Sequence, residues 1–127
     1  MKKKNLVGVL FLIPILASGC SQIDSNPFAR DPDELLSLSR EHLANHRYDL
    51  VIDIATPFAS DPGPYQGLFS LELARAHAAR GNADLAIMSL KTALKKDVIT
   101  GQELLMDEHF KEISTTIEFL TVITSLE

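Results

Sequence analysis

The sequence predicts an all-α protein: two consecutive helical hairpins forming a short solenoid, closed by C-terminal capping helices. Three observations carry that prediction. Apolar residues recur at i, i+4 and i+7 in two separate stretches, Val51/Ala55/Phe58 and Ala86/Leu90/Ala93, the period of a buried helical face. The helices preceding these stretches also correspond at a fixed offset, Leu38 and Arg40 to Leu73 and Arg75, 35 residues apart. No alternating β-branched run follows Cys20, so no sheet is expected.

The N-terminus reads as an address and an anchor. Met1-Lys2-Lys3-Lys4 is a positive n-region, Leu6 to Ala17 is apolar apart from Gly8 and Pro14, and Ala17-Ser18-Gly19 are small. This is the layout of a secretory signal. About 12 apolar residues make roughly 18 Å of helix, too short for a hydrocarbon core of about 30 Å. Leu16-Ala17-Ser18-Gly19-Cys20 resembles the lipobox of bacterial lipoproteins, with Ala17 where Leu is most frequent. The resemblance implies removal of residues 1–19, diacylglycerol on the Cys20 thiol and acylation of the new amine. One acyl chain holds a protein only marginally, whereas two or three anchor it stably. Ser21 rather than Asp follows the cysteine, which in a Gram-negative cell implies the outer membrane, facing the periplasm. Residues 20–30 then form the lipidated end and a polar tether containing Asn26-Pro27. Ten extended residues reach at most about 36 Å, so the folded part, residues 31–127, stays near the bilayer.

Three of the 12 basic residues lie in the leader, so nine face 17 acidic ones afterwards and the charge of −5 becomes −8. Nucleic acid is not an expected partner, because phosphate neutralisation needs clustered Lys and Arg. Cys20 is the single cysteine, which excludes an intramolecular disulfide and a cysteine metal cluster.

Each helix has its own signals. Asp31-Pro32-Asp33-Glu34 opens the first with a cap, a proline suited to the first turn and a capping-box Glu. Asn45-His46-Arg47 breaks the chain, and Asp61-Pro62-Gly63-Pro64 ends the second helix. A third helix is expected from about Tyr65 to Ala79. Gly81 suits a left-handed helix end and Asn82 the next cap. Thr100-Gly101-Gln102-Glu103 opens a short helix, and Asp107 to Ile113 makes another turn. Thr115-Thr116-Ile117-Glu118 caps a last helix, expected to bury Ile117, Leu120 and Ile123.

The two hairpins resemble tetratricopeptide repeats, whose period is 34 residues. Leu73-Ala74 stands at the family's Leu-Gly position, His77 at its Tyr, Gly81-Asn82 at the turn, and Ala86, Leu90 and Ala93 on the second helix. The first repeat uses Leu38-Ser39, His42, Val51, Ala55 and Phe58, where the large Phe58 demands different packing. Leu104, Leu105, Asp107, Phe110, Phe119 and Leu120 resemble an ending that follows many bacterial repeats of this kind. About three stacked units are usually needed for stability, so this tail must cover the second repeat.

The resemblance implies a concave groove lined by Leu36, Leu43, Leu71 and Ala78 or Ala79, with Arg40 and Arg75 at equivalent places. Two such guanidiniums suit an acidic peptide or a C-terminal carboxylate; the alternative is a salt bridge to a nearby Glu. The family's dicarboxylate-clamp residues are not evident. His42 and His46 have metal-ligand spacing without a third ligand, so they read as packed or capping imidazoles. Glu41 and Glu72 read as solvated carboxylates. Lys91, Lys95 and Lys96 suit the end of a helix. No hydrolase, zincin or phosphate-loop motif occurs.

These readings predict a non-enzymatic, lipid-anchored adaptor of the cell envelope. It needs no cofactor beyond the lipid on Cys20, and it binds an envelope protein, a peptide or a second copy of itself. The alternative is a small inhibitory or immunity-type lipoprotein that blocks an envelope enzyme. The Arg pair discriminates the two, since groove binding needs it and an acidic convex face does not.

Overall fold

A computed structural model describes residues 30–125. The leader, Cys20 and most of the tether fall in 1–29, outside the described residues. The described chain is all-helical: α1 (Pro32–Ala44), α2 (Tyr48–Ser60), α3 (Gln66–Ala79), α4 (Ala83–Lys95), α5 (Gly101–Met106), a 3-10 turn (Glu108–Phe110) and α6 (Ile117–Thr124). These elements lie in one compact unit beginning at Pro32. Among the described residues no helix is long and apolar enough to cross a membrane.

Short turns join α1 to α2 and α3 to α4, and both turns close in the same way. The Arg47 N–H bonds the His42 carbonyl and the His46 N–H that of Leu43; 35 residues on, Asn82 bonds His77 and Gly81 bonds Ala78. These paired bonds are the Schellman helix end, which needs a left-handed residue. Gly81 supplies it at φ 81° and His46 at φ 61°. Asp97 does the same after α4 at φ 59°, with Val98 bonding Ala93. The Asn82 side chain makes no capping bond. Thr100, Asp107 and Thr116 do cap, accepting from the backbone N–H of Glu103, His109 and Phe119.

Packing follows the apolar spacing through α5. Leu35, Leu36, Ala55, Phe69 and Leu73 form one core, with Leu43, Val51 and Ala76 beside it. Phe58 is accommodated by stacking on Phe69, with ring centroids 4.2 Å apart. The larger core takes Leu71, Ala74 and Ala78 from α3, one face of α4, and Leu104, Phe110, Ile113 and Phe119 from the tail. α3 therefore contributes to both cores, and nine of its 14 residues are buried. α6 departs from expectation: Phe119, Val122 and Ile123 are buried while Ile117 and Leu120 are exposed. Its apolar residues surround most of the helix, and Phe119 wins the core by meeting Phe110 at 6.1 Å.

Gly67 lies where α3 meets the chain leaving α4. A Cβ there would stand 2.6 Å from Lys96 Cβ and 2.9 Å from Val98 Cγ1. In an open helix Gly→Ala stabilises by roughly 1 kcal/mol. Here we expect the sign to reverse, Gly67→Ala costing about 1–3 kcal/mol by overpacking, measured as a lower urea midpoint.

Candidate functional site

The sequence singled out Arg40 and Arg75, and the structure brings both to one carboxylate. Glu72 is fully buried, contrary to its reading as a solvated side chain. Arg40 Nε donates to Glu72 Oε2 at 3.2 Å and Arg75 Nη1 to the same oxygen at 2.9 Å. Arg75 Nε also donates to Asp107 Oδ2 at 2.8 Å. Asp107 Oδ1 in turn accepts the His109 N–H at 3.0 Å and contacts His109 Nδ1 at 2.8 Å. The chain of charges runs from α1 through α3 into the tail.

This is the salt bridge that stood as the alternative to a carboxylate-binding groove. Arg75 spends two donors within the chain and its side chain is 22 % exposed; Arg40 spends one and is 51 % exposed. An incoming carboxylate would meet guanidiniums already neutralised by Glu72 and Asp107, with Arg40 keeping the most donors. Leu36, Leu43 and Leu71 are buried in the cores, so they leave little side-chain surface to a partner. Sequence reasoning missed Glu72 because its spacing on α3 matches that of any exposed Glu. The signal available was its position three residues before Arg75 on a helix otherwise rich in Ala and Leu.

Burial alone would raise the Asp107 carboxyl. The backbone N–H and ring of His109, with Arg75, outweigh it and hold the group below its usual range. His42 and His77 occupy equivalent positions, and each has a buried Nδ1 without a hydrogen-bond partner among the described residues. His46 instead bonds the Tyr48 hydroxyl at 2.7 Å in the turn. Among the described residues no three His, Cys, Asp or Glu side chains are grouped to hold a metal ion. His77 lines an open cleft with Ser70, Ser89 and Thr92, and no carboxylate lines it.

A largely apolar opening lies between α4 and α6. It measures about 620 Å³, with Ile87, Met88, Ile117 and Val122 along it and Asp84, Lys91 and Glu118 at its edges. Met88 is 65 % and Ile117 78 % exposed. Sequence reading assigned Ile117 to the core and passed over Met88. Exposed apolar surface rimmed by polar groups marks a contact site, and methionine adapts to varied partners. No family model, curated protein or solved structure matches this chain.

Burial, and then the nearby Arg80, lower the His77 pKa from its ordinary 6.5. The unfolded chain then takes up this proton first as pH falls below about 6.5. Stability contributed by neutral His77 is thus complete above that pH and is lost below it. The urea midpoint should fall between pH 7.5 and 5.5, and His77→Gln should shrink that fall. An undiminished fall in the variant would assign it to other groups.

Proposed function

We propose that this chain is a lipid-anchored, non-enzymatic adaptor of the cell envelope. It holds a two-repeat platform of tetratricopeptide type against a membrane and docks an envelope protein on it. The lipobox-like sequence ending in Cys20 supports the anchor. The two hairpins, matched at 35 residues in their Schellman turns and in Arg40 and Arg75, support the repeat reading. The tail, whose Leu104, Phe110 and Phe119 complete the larger core, serves as the third unit that two repeats require.

The observation that carries the binding role is the apolar opening between α4 and α6, where Met88 and Ile117 stand largely exposed. A catalytic reading has less support. The cleft at His77 has hydroxyls beside it but no acid, and the imidazoles of His46 and His109, which share a groove with Glu108 and Glu112, are engaged with Tyr48 and Asp107.

In-cell crosslinking of a tagged chain, read by mass spectrometry, tests this. Wild type should capture a defined envelope complex from the membrane fraction. Met88→Glu/Ile117→Glu should stay on the membrane and lose at least about tenfold of that capture, since charges must then be desolvated against an apolar contact. Cys20→Ser should leave the membrane fraction. Capture unchanged in the double variant would remove the α4/α6 surface from the account. A Cys20→Ser protein still on the membrane would remove the lipid anchor.

A further inference from the structure

A second groove, of about 540 Å³, opens where α1 and α3 end. Leu43, Ala44, Ala78 and Ala79 give it an apolar floor, and Glu108 and Glu112 of the tail stand at its side. Both carboxylates are exposed and join none of the ion pairs among the described residues. The Schellman bonds consume the carbonyls of His42, Leu43, His77 and Ala78 but leave those of Ala44 and Ala79 without a donor among the described residues. Helix C-termini carry partial negative charge, and two of them end here.

Among the described residues no lysine or arginine lines this groove. Of the arginines around it, Arg75 is committed to Glu72 and Asp107 and Arg80 to Asp49, while Arg47, between His46 and Tyr48 in the chain, is exposed and does not line the groove. His46 and His109, which also line it, are engaged with Tyr48 and Asp107. The groove thus offers acceptors and negative charge above an apolar floor. A lysine or arginine side chain matches that pattern, with its stem on the alanines and its head among acceptors. The net charge of −8 beyond the leader would steer a basic segment toward it.

We propose that this groove receives a lysine or arginine side chain from the protein partner. The proposal rests on reading the domain as a protein-binding platform and adds to it a contact of stated charge.

The test uses the full chain, ¹⁵N-labelled in nonionic detergent. It is titrated with a blocked alanine heptapeptide carrying two lysines, and with a counterpart carrying two glutamates. The lysine peptide should shift the amides of Ala44, Ala79, Glu108, His109 and Glu112, and the glutamate peptide should not. Glu108→Gln/Glu112→Gln should weaken binding about tenfold, as expected for losing charge-assisted bonds. Asp53→Asn/Asp61→Asn, which removes the same charge outside the groove, should weaken it less than about twofold, the scale of screened surface charge. Shifts located elsewhere, equal weakening by both double variants, or no shift would each overturn the proposal. Because this titration requires no envelope partner, its failure leaves capture at Met88 and Ile117 in cells standing.

Discussion

The rest of the domain depends on the burial of one charge. Glu72 sits on α3, the helix shared by both cores, and a carboxylate there must be paired or the helix cannot pack. Arg40 reaches it from α1 and Arg75 from the next turn of α3. Arg75 is then oriented so that its Nε meets Asp107, which fixes the start of the 3-10 turn. Phe110 follows three residues later and enters the larger core beside Phe119. The polar chain therefore sets where the tail lies, and apolar burial supplies most of the energy once it is there.

That same chain changes the functional map. With Glu72 and Asp107 neutralising them, Arg40 and Arg75 hold the helices in register more than they invite an anion. Surface free for a partner is displaced to two other places: the apolar opening between α4 and α6, and the acceptor-lined groove where α1 and α3 end. The first offers adaptable hydrophobic area and the second a definite charge preference. A platform with both can combine affinity from burial with selection by charge.

Much of the fold was legible because local signals and packing agree. Val51, Ala55, Ala86, Leu90 and Ala93 have the helical period and lie at or near zero exposure. Thr100 caps as its sequence context indicates, and the cap expected within Thr115–Glu118 falls on Thr116. The illegible parts are those that only tertiary contacts decide. α6 has apolar residues at Ile117, Phe119, Leu120, Val122 and Ile123, and periodicity alone cannot choose its buried side. α3 is packed against both cores, so its pattern does not mark Glu72 as interior. His46 and Asp97 adopt the left-handed conformation without being glycine, so two of the three Schellman ends had no clear signal. The candidate site was legible as an arginine pair, and its carboxylate partner was not.

The most direct test is a double-mutant cycle on Arg75→Ala and Asp107→Ala, read from urea unfolding at neutral pH. Both side chains are less than a quarter exposed, so solvent screens their interaction incompletely. The account predicts a coupling of about 1.5–3 kcal/mol, the range for hydrogen bonds to charged groups. A coupling below about 0.5 kcal/mol, within ordinary additivity, would contradict it. The tail would then be held by its apolar contacts alone, with the charges from Arg40 to His109 incidental to the fold.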